Sequence, residues 1–476
     1  MKRRDFLKLS AVSVFSSFAG CLKNNNMFHA ASSPAAKRPN IVFFFCDDMG
    51  WGDLGCYGND RIKTPNIDKF AKEGTLLTNF YVNSPVCSPT RASVMTGRFP
   101  AELRFFYALA AVEQNKERGM PNYLDPELPM LPRLLKTAGY TTGHFGKWHM
   151  GGPQDKTAPP PAEYGIDQSA TFLSNGPGCY PPNSPQHESS KHIVNHAIKF
   201  IEQNGNKPFF ANVSLSEPHS ILVPSDEQME PYKKWGPTKG GYRGAMQVYY
   251  AVISNIDREF GRLMDKLDEL AIRDNTLVVF SSDNGPSPIW GWDTSHSGAG
   301  STGPFRGCKA SLYEGGIRAP FITRWPKVIP ENKVDNELVL STADLLPTFC
   351  AAADAKLPAE MKISGENMLD SLAGSRRQRS KPILWEYRYL AWGRHIQKSP
   401  ALAIREGKWK LLMNPDGSRV ELYDLKENPS ETDNKASEQP IVVKKLRKKL
   451  LAWHKTIPLS DELPDAAGSF HYPWPK

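Results

Sequence analysis

The stretch Cys87–Arg98 combines a nucleophile with an anion-binding arrangement. Pro89 suits the first turn of a helix, where its missing N–H group costs nothing, and Gly97 suits the exit of the same helix. Cys87 then lies at or just before the helix N-terminus, where unpaired N–H groups and the peptide dipole favour an anion. Arg91 lies about one turn further on and can direct its guanidinium to the same place. A nucleophile held in an anion site indicates transfer of a phosphate- or sulfate-like group.

Oxygen-bearing side chains follow two of the predicted strands. Asp47 and Asp48 come directly after the apolar run Asn40–Cys46, and Asp283 and Asn284 come directly after a second such run. Continuous apolar runs are typical of central strands buried on both faces, and open α/β sheets place their sites at the carboxyl ends of such strands. Adjacent carboxylates there are costly without a cation, and oxygen donors select a hard ion. The irregular, strongly acidic set favours Ca²⁺ over Mg²⁺.

Two further blocks place a basic side chain near the end of a predicted strand. Lys147 and His149 follow the predicted strand Tyr140–Phe145 and are two residues apart, so on extended backbone both would point the same way. Such a pair could supply an oxyanion clamp and a proton carrier. His219 follows the predicted strand Pro208–Leu215 and is well placed to act on a leaving group.

The pattern Cys-x-Pro-x-Arg, followed by Ala-Ser-x-x-Thr-Gly-Arg, resembles the signature of the type I sulfatases of the alkaline phosphatase superfamily. Three other blocks also resemble this family: Gly-Lys-Trp-His at 146–149, Pro-His at 218–219, and the segment 303–320 that contains Lys309. The resemblance covers roughly residues 38 to 460. Within the family, the sequence most resembles the arylsulfatase A-like and N-acetylgalactosamine-6-sulfatase group.

In that family the cysteine is oxidised after synthesis by a formylglycine-generating enzyme, so the resemblance implies that Cys87 becomes Cα-formylglycine. It also implies a Ca²⁺ ion that is held by an oxygen of residue 87 and by four further side chains, Asp47, Asp48, Asp283 and Asn284. The catalytic set that the resemblance implies is Cys87, Arg91, Lys147, His149, His219 and Lys309.

The family's mechanism gives each of these residues a role. Ca²⁺ and Arg91 hold the hydrated aldehyde, Asp283 helps to remove a proton from one hydroxyl, and that oxygen attacks the sulfur of a sulfate monoester. His219 protonates the departing alcohol. His149 then takes the proton of the second hydroxyl, which expels sulfate and restores the aldehyde. The side chains that neutralise the sulfate oxygens are Lys147 and Lys309.

The order of predicted elements indicates an α/β fold with a large mixed, mostly parallel sheet between helices, which is the alkaline-phosphatase-like architecture that the resemblance implies. The predicted domains are an export signal and tether at 1–37, a catalytic domain at 38–380 and a smaller C-terminal antiparallel α+β subdomain at 381–476. Residues 151–190 are rich in Pro, Ser, Gly and Asn. They are predicted to form a long loop over the site, with a poorly ordered insertion as the alternative.

The first residues resemble a bacterial export signal. Paired arginines precede Phe-Leu-Lys within Met1–Lys8, as in twin-arginine signals, and a short apolar run follows. A general secretion signal is the alternative. The sequence Phe-Ala-Gly-Cys ending at Cys21 resembles a lipoprotein processing site, although Phe replaces the usual Leu, so Cys21 is a candidate lipid anchor. We therefore expect the mature protein in the periplasm or as a membrane-anchored lipoprotein.

The formal net charge of +9 at pH 7 would attract anionic substrates. Much of it is local, at 376–379 and 444–449, which are predicted to be a solvated loop and a solvated helix face. Neither run interleaves aromatic residues, so we expect no nucleic-acid partner. The cysteine spacings match neither a zinc site nor a small disulfide scaffold. Cys46 and Cys350 are predicted core residues, and one disulfide among the remaining cysteines is left open.

The predicted function is hydrolysis of a sulfate ester on a polysaccharide or oligosaccharide. Export, basic charge and long loops favour a glycan over a small aryl ester, while the sugar, the ring position and endo or exo action are left open. A phosphoester or phosphonate monoester hydrolase of the same superfamily is one alternative, because it would share the nucleophile motif and the metal ligands. A non-catalytic glycan-binding lipoprotein with unmodified Cys87 is the other.

Overall fold

The computed structural model describes residues 38–236, 244–289, 296–388 and 398–458. The described residues from Arg38 onward belong to one compact unit. The predicted export signal and tether, including the candidate lipid anchor, lie outside the described residues.

A large sheet of eight strands forms the centre of the molecule, in the order β4-β3-β5-β1-β6-β7-β2-β8. The neighbours in this order are parallel, except that β7 runs antiparallel to both β6 and β2. The predicted mixed, mostly parallel sheet is therefore confirmed. The strands are β1 (Asn40–Cys46), β2 (Thr75–Tyr81), β3 (Thr141–Lys147), β4 (Gln168–Phe172), β5 (Phe209–Ser214), β6 (Thr276–Ser282), β7 (Phe321–Arg324) and β8 (Lys333–Ser341).

Helices cover both faces of this sheet. Alternate residues of its central strands point to opposite faces and therefore pack into two different hydrophobic clusters. In β1, Phe43 and Phe45 belong to one cluster, while Val42 and Phe44 belong to the other. None of the described helices has the length and apolar character needed to cross a bilayer. The described helices are α1 (Pro65–Lys72), α2 (Cys87–Thr96), α3 (Val112–Glu117), α4 (Leu131–Thr137), α5 (Ser189–Asn204), α6 (Asp226–Met229), α7 (Ala245–Glu269), α8 (Glu314–Ile317), α9 (Thr342–Ala352), α10 (Leu369–Leu372) and α11 (Pro440–His454).

A second sheet of four antiparallel strands lies near the C-terminus, in the order β12-β11-β10-β9. Helix α11 packs on this sheet through Leu446 and Leu450, which agrees with the predicted antiparallel α+β arrangement. The predicted domain boundary at residue 380 stays a prediction. The strands are β9 (Ile383–Glu386), β10 (Leu402–Glu406), β11 (Trp409–Met413) and β12 (Glu421–Asp424).

Two strands of the large sheet differ from the sequence prediction. The segment 151–190, predicted to be a loop, contains β4, and β8 was not predicted. Both are edge strands with polar residues and partly exposed faces, so they lack the continuous apolar run that marks a central strand. Strand β3 also extends two residues beyond its predicted end, to Lys147.

A fully buried ion cluster connects the small sheet to α8. The Lys410 ammonium of β11 lies 2.8 Å from Glu314 Oε1 and 2.8 Å from Glu431 Oε1. Arg318 Nε lies 2.8 Å from the other Glu314 oxygen, and the Tyr81 hydroxyl donates to that oxygen at 2.6 Å. Glu314 and Arg318 therefore have a structural role.

Replacing Lys410 with methionine should lower the free energy of unfolding by about 3–5 kcal/mol, because the change leaves a buried carboxylate without its cation. The matched control is Lys408→Met, whose ammonium pairs with Asp424 at the surface and should matter far less. Chemical denaturation followed by circular dichroism measures both variants. Equal stability of the two would contradict the role of this cluster.

Candidate active site

The carboxyl ends of four adjacent strands bring the predicted site residues together. Cys46 of β1 pairs with Ser282 of β6, so Asp47 and Asp283 begin adjoining loops. Strand β5 flanks β1 on its other side, and β3, which ends at Lys147, flanks β5. The site therefore lies where open parallel sheets generally place their ligands.

Cys87 is the first residue of α2 and is 2% exposed. Its Sγ atom lies 3.3 Å from His149 Nδ1. His149 Nε2 lies 3.1 Å from the carbonyl oxygen of Leu109, which can only accept a hydrogen bond. The imidazole hydrogen is thus on Nε2, and the Nδ1 lone pair faces the thiol. Burial and the charge of Lys147 lower the pKa of His149 to about 3, so the imidazole is a neutral acceptor at this position.

Arg91 is buried one turn into α2 and connects this helix to the ends of three strands. Its Nη2 donates to Asp283 Oδ2 at 2.6 Å, and its Nε donates to the same oxygen at 3.1 Å. Its Nη1 donates to the carbonyl oxygen of Lys147 at 3.0 Å and to the Ser214 hydroxyl. Ser214 was not predicted as a site residue, and the one feature that could have indicated it is its position as the last residue of β5.

Each buried carboxylate of the site has a cationic partner. Lys147 forms a short ion pair with Asp47, Lys309 Nζ lies 2.7 Å from both oxygens of Asp48, and Arg91 holds Asp283. Burial opposes ionisation of Asp47, but the charges of Lys147, His219 and Arg91 outweigh it and hold its pKa below the usual range. Burial and the charge of Asp47 together raise the pKa of Asp283. A further cation would stabilise Asp47 and Asp283, because their carboxylates lie close together.

Three ligand atoms, one each from Asp47, Cys87 and Asp283, lie within 4.8 Å of one another. Asn284 adjoins them, and its Nδ2 donates to Asp48 Oδ1 at 2.7 Å. Asp47 Oδ1 and Asn284 Oδ1 are buried and have no hydrogen-bond partner among the described residues. Unpaired oxygens beside carboxylates suit a hard divalent cation such as Ca²⁺ or Mg²⁺. The donor set therefore fits the predicted ion.

His219 lies beyond the end of β5 and is the most exposed of the predicted site residues. Its Nδ1 donates to the carbonyl oxygen of Ser220 at 2.9 Å, which leaves Nε2 toward the site, 3.8 Å from Asp48 Oδ2. Its side chain is 37% exposed. A proton carried on Nε2 would therefore be available to a group that enters from the solvent side.

Two family models match this chain. The model described as sulfatase matches residues 39–355, and the model described as N-sulphoglucosamine sulphohydrolase, C-terminal, matches residues 306–456. The chain belongs to the sulfatase family.

Curated relatives and solved structures agree with this assignment. Human N-acetylgalactosamine-6-sulfatase is 32% identical over 391 residues, which cover 74% of this chain and 69% of that protein. N-acetylgalactosamine-6-O-sulfatase of Bacteroides thetaiotaomicron is 27% identical and covers 86% of this chain and 92% of that protein. The structure of Ps i-CgsB in complex with k-i-k-neocarrahexaose has a TM-score of 0.73 at 27% identity, with coverage of 89% and 94%. The chain is a sulfuric ester hydrolase.

A cavity of about 420 Å³ in this sulfatase is lined by three of the predicted catalytic residues, Lys147, His149 and His219. One wall comes from the segment 151–190 and the start of α5. There the Tyr180 ring packs against Phe172, with 5.6 Å between the ring centroids, and the Tyr180 hydroxyl lies 3.2 Å from Ser216 Oγ. No sequence motif marked these wall residues. The cavity is lined by Asp47, Lys147, His149, Phe172, Leu173, Tyr180, Ser184, Pro185, Gln186, Ser189, Ser216, Glu217, His219, Ser220 and Ile221.

Two residues of the sulfatase site, Asp48 and His149, adopt left-handed backbone conformations, and so does Ala310, which follows Lys309. The φ angles are +68° at Asp48, +55° at His149 and +68° at Ala310. The prediction that Lys147 and His149 share one face of a strand is wrong, because β3 ends at Lys147 and the chain then turns. Both side chains nevertheless line the same cavity. Backbone conformations of this kind are costly for residues other than glycine and concentrate at functional sites.

The described cysteines are all free, so no disulfide joins them. Cys46 and Cys350 are buried in the core, as predicted, and burial raises the pKa of both thiols. Arg394 and His395, which were weighed only as possible substrate contacts from the small subdomain, lie outside the described residues.

Adding Ca²⁺ to chelator-treated sulfatase should raise its unfolding temperature, because a ligand at a hundredfold excess over its Kd stabilises the folded state by about 2.7 kcal/mol. Asp47→Asn should remove most of this response. Asp257→Asn should keep it, because that buried carboxylate accepts from the backbone N–H of Ile67 in α1 and is not part of the cluster. Scanning fluorimetry measures the shifts. An undiminished response in Asp47→Asn would contradict the placement of the ion.

Proposed function

We propose that this sulfatase removes sulfate from a sulfated carbohydrate through a formylglycine made from Cys87 and a Ca²⁺ ion. The observation that carries the proposal is the surroundings of Cys87. Its Sγ lies against the acceptor nitrogen of a neutral His149 and within the ligand cluster of Asp47 and Asp283. A formylglycine-generating enzyme would act on this residue during maturation.

The modified residue supplies a hydrated aldehyde with two hydroxyl groups on one carbon, one to attack sulfur and one to release the sulfate afterwards. The Sγ atom of Cys87 marks where such an oxygen would lie. Asp283, whose pKa burial and Asp47 raise, is placed to accept a proton on one side. His149 is placed to accept the second proton, because its Nδ1 lone pair is free and Leu109 holds its other nitrogen.

Ca²⁺ would be held by Asp47, Asp48, Asp283 and Asn284 and would supply a fixed positive charge at the nucleophile. In this structure Asp47 and Asp48 neutralise Lys147 and Lys309, two buried ammonium groups of the site. When Asp47 and Asp48 bind the ion instead, both lysines become available to the sulfate oxygens. Fixed charges of this kind stabilise the transition state because they need no reorganisation.

His219 serves as the general acid for the departing alcohol. Its Nδ1 hydrogen is engaged by the Ser220 carbonyl, so a second proton would be carried on Nε2, and His219 lines the cavity of about 420 Å³. Protonation of a leaving oxygen by a positioned imidazole typically contributes about 10²–10⁴ in rate.

Three observations support a sulfated carbohydrate as the substrate. The human and Bacteroides relatives are named for N-acetylgalactosamine-6-sulfate chemistry, and the Ps i-CgsB structure holds k-i-k-neocarrahexaose. The cavity of about 420 Å³ has the size of a small-ligand site, and its Tyr180 and Phe172 rings offer apolar faces to a sugar. The net charge of +9 suits an anionic polymer.

We also propose that the chain is exported. The paired arginines at Arg3 and Arg4 and the short apolar run after them support export to the periplasm, and Cys21 supplies a candidate lipid anchor.

Mass spectrometry of the peptide that carries residue 87 tests the nucleophile directly. Protein expressed with its maturation enzyme should have lost the sulfur of Cys87 and gained an aldehyde oxygen. Cys87→Ala should lose at least about 10⁴ in kcat, because the nucleophile itself is removed, whereas Cys56→Ala should keep wild-type kcat. Full activity with the thiol intact would refute the proposal. Turnover of phosphate esters above sulfate esters would favour the phosphohydrolase alternative instead.

Substrates with leaving groups of different basicity test His219. His219→Ala should lower kcat by about 10²–10⁴ for a sugar sulfate, whose alcohol needs a proton, and much less for a nitrophenyl sulfate. The matched control is His196→Ala on α5, which should behave as wild type with both substrates. Equal losses on both substrates would rule out the general-acid role.

A further inference from the structure

A small interior cavity of about 10 Å³ lies against the Arg91 side chain. Its polar lining comes from strands β3 and β5, from α2 and from the turn after β3. A space of this size accommodates about one water molecule. The polar residues that line it are Arg91, Lys147, Ser214, His144, Trp148 and Asn212.

Three of these side chains carry buried polar atoms that the protein leaves unpaired. His144 and Trp148 are each 1% exposed, and Asn212 is 4% exposed. Asn212 Nδ2 donates to His144 Nδ1 at 2.9 Å, which places the imidazole hydrogen on Nε2. Three atoms then have no hydrogen-bond partner among the described residues, namely His144 Nε2, Trp148 Nε1 and Asn212 Oδ1.

The unpaired atoms are two donors and one acceptor. One water molecule complements them, because it can accept two hydrogen bonds and donate a third. Burial and the charge of Arg91 also lower the pKa of His144 to about 3, so the imidazole is neutral and keeps a single hydrogen. Buried polar groups without partners are costly, and ordered water usually satisfies them. We propose that His144, Asn212 and Trp148 bind one water molecule in this cavity, and that this hydrated site positions the guanidinium of Arg91.

The connection to Arg91 runs through the same two strands. The sheet pairs His144 with Asn212, and two residues further along it pairs Gly146 with Ser214. Arg91 Nη1 donates to the Ser214 hydroxyl and, at 3.0 Å, to the carbonyl oxygen of Lys147. The water thus bridges the ends of β3 and β5 directly beside both acceptors of Arg91. Loss of this bridge would allow the acceptors to shift and the guanidinium to move relative to residue 87.

A high-resolution crystal structure of the unsubstituted protein tests the water site without any variant. We expect electron density for one water within hydrogen-bonding distance of His144 Nε2, Trp148 Nε1 and Asn212 Oδ1. A cavity without density, or side chains turned to find protein partners, would overturn the water site.

Kinetics with an aryl sulfate tests the positioning role. His144→Leu should lower kcat about tenfold with little change in KM, because it disturbs Arg91 rather than the substrate cavity. His144→Gln should stay within about threefold of wild type, since its amide can both accept from Asn212 and donate to the water. The matched control is His196→Leu, which should keep wild-type kcat. Loss of activity in His144→Gln as large as in His144→Leu would contradict the hydrogen-bonding role.

A double-mutant cycle separates positioning of Arg91 from general destabilisation. In an Arg91→Lys background, His144→Leu should lower kcat by less than about twofold, because the group on which it acts is already gone. A full tenfold loss in that background would overturn the positioning role. If His144→Leu does not fold, Trp148→Phe removes one donor and should lower kcat about threefold, again only when Arg91 is present.

Discussion

The buried charge balance at the ends of β1 and β6 is the constraint on which the rest of the site depends. Three carboxylates lie there with almost no contact with water, and each of them forms a close ion pair with a lysine or arginine. Buried charges of one sign are tolerated only when opposite charges and hydrogen bonds compensate them. The partners come from distant parts of the chain and are Arg91, Lys147 and Lys309. The sheet, α2 and the segment before α8 must therefore all be correctly placed for this centre to form.

The same part of the structure also gives Cys87 a defined partner. The loop between α2 and α3 supplies the Leu109 carbonyl, which orients His149, and the left-handed conformation of His149 turns its ring toward Cys87. A neutral acceptor therefore faces residue 87 on one side, and the carboxylates face it on the other. Residue 87 therefore has two proton acceptors, an imidazole and a carboxylate. The proposed two-step transfer through residue 87 requires two such acceptors.

The parts of the fold that could be predicted from the sequence are those with strong local signals. Strands β1 and β6 were evident because burial on both faces requires unbroken apolar runs, and α2 was evident from its proline and glycine. The edge strands β4 and β8 could not be predicted, because polar, half-exposed residues form strands only when a neighbouring strand is present.

The site divides in the same way. Cys87 and Arg91 belong to one short motif, and the predicted metal ligands occur as pairs of neighbouring residues. Their chemistry could therefore be predicted from the sequence. Leu109 contributes only a backbone carbonyl, and Ser214 and Tyr180 act through tertiary contacts, so no local pattern marks them. The error over Lys147 and His149 has a similar cause, because a residue in a left-handed conformation breaks the alternation that a strand would impose.

A crystal structure of the matured protein grown with Ca²⁺ tests the central claim most directly. We expect anomalous density for one ion bound by oxygens of Asp47, Asp283 and residue 87, with the Lys147 ammonium released from Asp47. We also expect electron density for an aldehyde hydrate at residue 87. An intact thiol with no ion between the carboxylates, in crystals of fully active protein, would contradict this claim.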